Sequence, residues 1–219
     1  MSGTGNDTLN GGDGNDSLSG SAGNDFFDGG AGNDRLLSSD AATFTDDDTM
    51  IGGAGLDTLL SAGGVDWLYG DTVIYDTEGG FVAGTTGDAD SIQGGDGNDY
   101  IWASGGADDI NGGAGNDSIR GGNDNDTIYG WDGADSLWGE NGVDWLYGGT
   151  GNDKIWGGIN NDKLFGEAGD DSMYGGGGDD TLTGGDGADW FYFKATIDSN
   201  DVFVDVLDGD VFKTENYEP

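Results

Sequence analysis

Residues 112–120 read GGAGNDSIR, and residues 148–156 read GGTGNDKIW. The same nine-residue pattern runs without a gap from Gly94 to Tyr192, which makes eleven consecutive units. Eight more units, two of them degenerate (43–51 and 85–93), occupy residues 2–37, 43–51, 52–69 and 85–93. A period repeated over 19 units predicts a solenoid, in which each unit buries its apolar side against the next.

Three features of the nine columns predict the local structure. Columns one, two and four are mostly Gly, which tolerates the positive φ angles of tight turns. Column eight is apolar in every unit, from Leu9 to Phe191. Because side chains alternate along a strand, we expect a six-residue turn followed by a three-residue strand, with only column eight pointing inward.

Column six is Asp in all 19 units. A merely solvated surface would tolerate Glu, Ser or Lys at some of these positions, so the invariance indicates a specific requirement for Asp. The column-six residues are Asp7, Asp16, Asp25, Asp34, Asp48, Asp57, Asp66, Asp90, Asp99, Asp108, Asp117, Asp126, Asp135, Asp144, Asp153, Asp162, Asp171, Asp180 and Asp189.

The composition indicates that the chain needs help to fold. Six Lys and Arg against 44 Asp and Glu give a formal net charge of −38, and Leu, Ile, Val and Phe make up only 40 of the 219 residues. High net charge with few aliphatic residues is typical of disorder, and the 49 glycines add to the entropic cost of folding. Bound cations would supply the missing stabilisation.

The composition also excludes several functions. The chain has no Cys and no His, which removes disulfides, thiolate sites and the usual catalytic pairs, so we expect no enzyme activity. No apolar run is long enough to span a membrane, so we expect no membrane insertion. The negative charge would repel nucleic acid. The residues from Met1 to Gly5 lack the basic and apolar regions of a secretory signal peptide.

With its nonapeptide Gly-Gly-x-Gly-x-Asp-x-U-x, where U is apolar, the chain resembles the RTX (repeats in toxin) family of secreted bacterial proteins. The resemblance implies an all-β fold, a right-handed parallel β-roll (a β-solenoid) in which two units form one coil of about 18 residues. It also implies Ca²⁺ between successive turns, held by two column-six carboxylates and by loop carbonyls. Asp99 would then pair with Asp117 along one edge, and Asp90 with Asp108 along the other. Seventeen such pairs, one coil apart, would hold at most about 17 Ca²⁺.

The breaks in the repeat predict the domain organisation. We expect the roll to span residues 2–192, with insertions at 38–42 and 70–84, the second of them forming a small hairpin. The degenerate units retain Asp48 and Asp90 but lose their glycines, so we expect weaker sites there. Residues 193–219 are more apolar, and we expect a C-terminal cap, which the resemblance suggests is also part of a type I secretion signal.

Aromatic residues are frequent in columns seven and nine, where the side chains point outward. If alternate units belong to alternate sheets, Trp102, Trp138, Trp156, Tyr174 and Tyr192 share one face, and Tyr129, Tyr147 and Phe165 share the other. Two interpretations stay open. The rings could stack at about 4.8 Å and stabilise the sheets, or they could form an adhesive face for another protomer, a companion domain or a polysaccharide.

The sequence therefore predicts an acidic, extracellular or cell-surface Ca²⁺-binding β-roll that folds on binding calcium. We expect a structural or adhesive role in a matrix, surface layer or filament, with self-assembly. The alternatives are a calcium-dependent folding and secretion module of a larger exported toxin or enzyme, and a polysaccharide-binding module that uses the Trp/Tyr face.

Overall fold

The computed structural model describes residues 2–38, 46–71, 74–75, 81–82, 87–193, 201–204 and 209–214. These residues form 23 strands, numbered in chain order. The strands are β1 (Thr8–Asp13), β2 (Ser17–Ser19), β3 (Phe26–Ala31), β4 (Arg35–Leu37), β5 (Thr49–Ala54), β6 (Thr58–Leu60), β7 (Trp67–Asp71), β8 (Ile74–Tyr75), β9 (Phe81–Val82), β10 (Ser91–Asp96), β11 (Tyr100–Gly105), β12 (Asp109–Ala114), β13 (Ser118–Asn123), β14 (Thr127–Asp132), β15 (Ser136–Asn141), β16 (Trp145–Thr150), β17 (Lys154–Ile159), β18 (Lys163–Ala168), β19 (Ser172–Gly177), β20 (Thr181–Asp186), β21 (Trp190–Phe193), β22 (Val202–Val204) and β23 (Val211–Thr214).

Alternate strands belong to two parallel sheets. One sheet has eleven strands in the order β1-β3-β5-β7-β11-β13-β15-β17-β19-β21-β23, which we call sheet A. The other has ten strands in the order β2-β4-β6-β10-β12-β14-β16-β18-β20-β22, which we call sheet B. Each chain segment therefore visits sheet A and sheet B in turn, and two units complete one coil. The predicted all-β parallel solenoid is confirmed, and the described residues contain no helix.

The pairing register measures the length of each coil. In the regular part, partners lie 18 residues apart, as in Ile119 opposite Leu137. The separation grows to 23 between Phe27 and Met50, and to 33 between Leu59 and Ile92. These increments correspond to extra segments of five and fifteen residues, so the additional residues leave the roll without shifting its register.

Within the longer extra segment, β8 and β9 pair antiparallel, which is the hairpin that the sequence predicts there. The chain leaves the roll only after Asp71, since β7 continues to that residue and Gly53 pairs with Asp71. Ser38 also stays in the ladder, because its N–H donates to the carbonyl of Leu60 at 3.0 Å.

The core is a single column of side chains between the sheets. The column-eight residues from Phe27 to Phe191 are at most 2% exposed, while Leu9 and Leu18 in the first coil are partly buried. Each coil thus contributes two inward apolar side chains, one from each sheet. This narrow core explains how a chain with few aliphatic residues builds a buried interior.

The strands are longer than the sequence pattern predicts. β13 covers columns seven to nine and continues through columns one to three of the next unit, so the turn proper is shorter than six residues. The column-two residue has a positive φ, as in Gly113 (112°), which bends the strand while its pairing to the next coil continues. The sequence predicts three-residue strands because glycine is typical of turns. In the structure, identical bends stack on one another, and the backbone N–H and C=O groups at the bends pair with neighbouring coils.

The ladder continues beyond Tyr192. β22 pairs with β20, and β23 pairs with β21, both in parallel. Phe203 and Phe212 lie against Phe191, with ring centroids 5.4 and 5.2 Å away. Another coil therefore covers the last regular one. The suggestion that residues 193–219 are also part of a secretion signal stays a prediction, and residues 194–200, 205–208 and 215–219 of that range lie outside the described residues.

In the parts of the chain that the structure covers, no helix is long and apolar enough to cross a bilayer.

Candidate metal centres

The column-six aspartates form two rows along the roll. Each lies at the end of a turn, immediately before a strand, and alternate units place them on alternate edges. The first row, before the strands of sheet A, consists of Asp7, Asp25, Asp48, Asp66, Asp99, Asp117, Asp135, Asp153, Asp171 and Asp189. The second row, before the strands of sheet B, consists of Asp16, Asp34, Asp57, Asp90, Asp108, Asp126, Asp144, Asp162 and Asp180.

One oxygen of each carboxylate links two coils. The backbone N–H of Asp99 donates to Oδ1 of Asp117 at 2.9 Å, and the N–H of Asp117 donates to Oδ1 of Asp135 at 2.8 Å. The second row repeats this contact, as in Asp108 to Asp126 at 2.9 Å. Because a Glu would be too long for this contact, the contact explains why column six has the shorter acid.

The other oxygen, Oδ2, is buried without a hydrogen-bond donor. This holds for the column-six residues from Asp7 to Asp180, Asp66 excepted, as far as the described residues show. Asp117 and Asp126 are 2% and 1% exposed, so water does not replace the missing donor. Burying a carboxylate oxygen without a partner raises the free energy of the folded state, and a proton or a cation bound to that oxygen would offset this cost.

The column-one glycine creates the space next to this oxygen. A Cβ at Gly157 would stand 2.6 Å from Oδ2 of Asp162 and 2.6 Å from the carbonyl oxygen of Gly175, one coil later. Both oxygens therefore face the place of the missing side chain. The arrangement brings a carboxylate and a carbonyl together between two coils.

The electrostatics of the rows favour positive charge. The pKa of Asp126 is raised to about 8, chiefly by burial and also by the neighbouring carboxylates Asp108 and Asp144, against the lowering effect of the Asp108 N–H. Burial raises the pKa of Asp117 to about 7, and Asp135 adds to the shift. Near neutral pH, the rows without metal would therefore hold protons that a cation can displace.

The ligand chemistry fits Ca²⁺. Each position offers only oxygen, which hard cations prefer, and glycine-rich loops suit the flexible coordination of Ca²⁺ better than the strict octahedron of Mg²⁺. Among the residues that the structure describes, no group of three acidic side chains is placed to hold one metal ion. The pair of carboxylates plus carbonyls that the family resemblance implies is compatible with this geometry.

Two aspartates in the C-terminal coil belong to the same ladder, although sequence reasoning missed them. Oδ1 of Asp201 accepts the N–H of Asp180 at 3.1 Å, and Oδ1 of Asp210 accepts the N–H of Asp189 at 3.0 Å. The signal was present in the sequence. Asp201 and Asp210 are nine residues apart, and each is followed two residues later by Phe, although the glycines of the pattern are absent.

Asp71 is a further buried carboxylate outside the column-six pattern. It occupies a column-two position, is 5% exposed, and accepts the N–H of Gly105 at 3.2 Å through Oδ2. Burial raises its pKa to about 6, and the charge of Asp88 contributes to the shift. At the boundary of the long insertion, Asp71 thus adds a buried carboxylate at a column-two position, where most units have glycine.

Outward aromatic residues form stacked ladders on both sheets, on the faces that alternate units predict. On sheet A, Trp138 and Trp156 stack at 4.8 Å with an interplanar angle of 2°, and Trp156 stacks on Tyr174 at 5.3 Å. On sheet B, Tyr147 stacks on Tyr129 and on Phe165, both at 4.8 Å. The faces of these rings are therefore covered by their neighbours along the roll.

A small cleft of about 120 Å³ opens on sheet A beside the long insertion. Trp67 and Tyr100, which stack at 4.5 Å, line one side, and Trp102 and Arg120 line the other. The Arg120 guanidinium lies over Trp102 and Trp138 and pairs with Glu140 at 2.8 Å. We call this the aromatic cleft.

Comparison with known proteins gives a single result that matches this geometry. A comparison with curated proteins finds no match. The profile of the RTX calcium-binding nonapeptide repeat matches residues 1–36, 43–72, 84–119, 112–146, 138–173, 156–191 and 166–199. RTX repeats bind Ca²⁺, form a structural fold that is not typically catalytic, and are typical of secreted bacterial proteins. With two parallel sheets built from nonapeptides and a profile match over most of its length, the chain belongs to the RTX calcium-binding nonapeptide repeat family.

Proposed function

We propose that this chain is an extracellular β-roll that folds when its two aspartate rows bind Ca²⁺, and that its role is structural or adhesive and not enzymatic. The observation that supports it is the series of buried Oδ2 atoms, many of which face a glycine space and a carbonyl from the next coil, as Oδ2 of Asp162 does. The proposed ligands are the 19 column-six aspartates, with loop carbonyls completing the coordination.

The protein contributes position and burial. The N–H of one column-six Asp orients the carboxylate of the next, as from Asp153 to Asp171 at 2.8 Å, so that Oδ2 points into the space between coils. Column-one glycines leave that space open, and the column-eight side chains hold the sheets at a constant separation. When bound, Ca²⁺ supplies positive charge that compensates the paired carboxylates.

The charge of the chain is consistent with many ions. Without metal, a net charge of −38 opposes compaction. About 17 divalent ions would reduce this to about −4, which is ordinary for a soluble domain. Ion binding is then a source of folding free energy, because the unfolded chain offers no preformed sites.

A difference in calcium concentration would control where the protein folds. In the low calcium of a bacterial cytosol, the chain would stay expanded and competent for export. In the higher calcium outside the cell it would fold and remain folded. The chain would then be exported unfolded, by a type I system, and fold only afterwards.

The aromatic ladders support the structural role. Since ring faces in column nine are covered by neighbouring rings, as for Trp156 between Trp138 and Tyr174, they stabilise the sheet along its length. A long, regular, ion-bound roll that is stabilised by stacked rings suits a matrix, surface-layer or filament component.

The decisive experiment for folding is circular dichroism titrated with CaCl₂ after exhaustive removal of metal. We expect a coil spectrum in chelator and a cooperative gain of β signal with Ca²⁺, and a much weaker response to Mg²⁺ as the matched control. A chain that is already rich in β structure in excess chelator at neutral pH would contradict the proposal.

The structural role has its own test. Light scattering and electron microscopy at saturating Ca²⁺ should show assemblies of the protein or attachment to cells or matrix. A strictly monomeric protein at high concentration that attaches to neither would argue for the alternative of a folding module, which an upstream catalytic domain in the same reading frame would support.

The aromatic cleft favours polysaccharide binding as a second candidate function. Unlike the column-nine rings, Trp67 and Tyr100 are 40% and 46% exposed beside Arg120. Affinity electrophoresis on neutral and acidic glycans should then show retardation that Trp67→Ala and Tyr100→Ala abolish, while Trp145→Ala, an equally exposed ring on sheet B, changes nothing. Unchanged mobility in every gel would reject this candidate.

A further inference from the structure

The first row contains one aspartate whose surroundings differ from those of the others. Asp66 is as buried as its neighbours, at 1% exposure, but its Oδ2 accepts a hydrogen bond from the hydroxyl of Ser61 at 2.6 Å. Ser61 is itself 8% exposed. In the other column-six residues from Asp7 to Asp180, the corresponding oxygen has no donor among the described residues.

The residue that donates to Oδ2 of Asp66 lies in column one, whereas Ser2, in the same column beside Asp7, makes no such bond. Ser61 stands where most units have Gly, and its side chain enters the space that a glycine leaves open next to Oδ2. The hydroxyl therefore occupies the position from which a bound cation would contact this oxygen.

A second non-glycine residue in column one separates the effect of the hydroxyl from that of the Cβ. Ala103 is fully buried in the unit of Asp108, and Oδ2 of Asp108 still lacks a donor. A methyl group at this position thus leaves the carboxylate oxygen available. Burial raises the pKa of Asp48 and a hydrogen bond from the Ser38 side chain lowers it, but Oδ2 of Asp48 has no donor within hydrogen-bond distance among the described residues.

The hydrogen bonds also locate the affected position along the roll. Oδ1 of Asp66 accepts the N–H of Asp48, in the preceding coil, at 2.7 Å. In many regular units, Oδ2 lies beside a carbonyl of the following coil, as Asp162 does with Gly175. The position next to Ser61 is therefore the interval between the coil of Asp66 and the coil of Asp99.

We infer that the interval between Asp66 and Asp99 holds no calcium, because the hydroxyl of Ser61 takes the place of the ion at Oδ2 of Asp66. This inference rests on the proposed function, since it assumes that the regular intervals bind Ca²⁺. The hydrogen bond from Ser61 would then stabilise the carboxylate of Asp66 without metal, whereas the other carboxylates of the first row would depend on bound ions. This hydrogen bond lies directly before β7, after which the chain leaves the roll for the long insertion.

One consequence concerns the number of ions. The first row is divided into two ion-binding stretches, one up to Asp48 and Asp66 and one from Asp99 onward. The full count is therefore smaller than the number of aspartate pairs. A single substitution at Ser61 should join the two stretches.

The test combines two position-specific measurements on the full chain and three variants. Native mass spectrometry at saturating Ca²⁺ counts ions per chain, and anomalous difference maps of calcium-grown crystals locate them. Ser61→Gly restores the residue of the regular units, Ser61→Ala removes only the hydroxyl, and Ala103→Ser introduces the hydroxyl beside Asp108 in the second row as the matched reciprocal variant.

We expect the wild type to show calcium peaks at the regular intervals and none between Asp66 and Asp99. Ser61→Gly and Ser61→Ala should each gain a peak there and about one ion per chain. Ala103→Ser should lose the peak beside Asp108 and about one ion.

The possible failures are distinguishable. A wild-type peak between Asp66 and Asp99 would overturn the inference and leave the proposed function intact, as would ion counts that stay the same in all three variants. A wild type that binds no calcium anywhere would overturn the proposed function and the inference together.

Discussion

Asp108 and Asp109 are neighbours in sequence but have opposite surroundings. Asp108 is 2% exposed, with one oxygen bound to the N–H of Asp90 and the other without a donor among described residues, whereas Asp109 points outward in column seven. Both carry the same formal charge. The pair therefore separates the contribution of a buried row position from that of net charge.

We expect Asp108→Asn to raise the calcium concentration needed for folding and to lower the free energy of unfolding in Ca²⁺ by about 1–3 kcal/mol, because an amide retains the N–H contact but loses the charge. Asp109→Asn is the control and should change the free energy by less than about 0.5 kcal/mol. Calcium titrations and chemical unfolding at fixed Ca²⁺ provide both values. Equal effects of the two substitutions would show that only net charge matters.

The raised pKa values predict how the metal-free chain responds to pH. Burial raises the pKa of Asp90 and Asp162 to about 8, above the value of 3.8 for an exposed carboxyl, and neighbouring carboxylates add to both shifts. Protonation thus favours the folded state. This stabilisation is fully present below pH 3.8 and is lost as the pH rises through the folded-state values of about 8.

Metal-depleted protein should therefore gain β signal in circular dichroism as the pH is lowered from 8 to 5, without any calcium. With calcium present the direction reverses for binding, because protons compete for the same oxygens and the apparent affinity falls with pH. A control titration with NaCl at pH 8 separates charge screening from protonation. A metal-free spectrum that does not change between pH 8 and pH 5 would contradict this prediction.

At the scale of the strands, stacking joins elements that are 18 residues apart in sequence. Trp138 in β15 lies between the Arg120 guanidinium of β13, at 4.8 Å from its ring, and Trp156 of β17. The ring thus connects three neighbouring strands of sheet A. Its contribution comes from ring faces and from the aliphatic area that it covers.

We expect Trp138→Ala to lower the free energy of unfolding in Ca²⁺ by about 1–3 kcal/mol, because it removes a stacked pair and a cation–π contact. Ile159→Ala is the matched control, since Ile159 is apolar but 59% exposed at the end of β17. Thermal unfolding in saturating Ca²⁺ measures both. An equally small effect of the two substitutions would show that the ladder adds no stability.

Over the whole molecule, the roll depends on each coil being covered by the next. β22 and β23 cover the last regular coil, and Asp201 and Asp210 extend the two aspartate rows. Without them, Phe191 and the edges of β20 and β21 would face solvent.

A chain that ends at Tyr192 should therefore need a higher calcium concentration to fold than a chain that ends at Thr214, and should associate through its exposed sheet edges. The longer variant is the control, because both lack residues 215–219. Calcium titrations followed by circular dichroism and by light scattering compare the two. Identical midpoints would show that the C-terminal coil adds nothing to folding.

Much of the candidate site could be predicted because equivalent residues of every repeat unit occupy equivalent positions in the roll. The pairing of Asp99 with Asp117 follows from the 18-residue coil that the family resemblance implies, and the core follows from the apolar column eight. Asp201 and Asp210 were missed because only two columns of the pattern survive there. Asp71 was missed because a single Asp in an irregular stretch has no periodic signal.

By itself, the sequence determined the apolar core column and the recurring column-six aspartates, because a strict nine-residue period repeats both. The resemblance of that repeat to the RTX family implied the parallel roll, its 18-residue coil and the two aspartate rows. Only the tertiary structure decided how each carboxylate divides its oxygens. The contacts of Oδ1 of Asp66 with Asp48, and of its Oδ2 with Ser61, depend on distances between coils and within turns. A repeat pattern specifies which residues recur. Whether a given carboxylate oxygen is available to bind an ion depends on the hydrogen bonds around it, which only the tertiary structure shows.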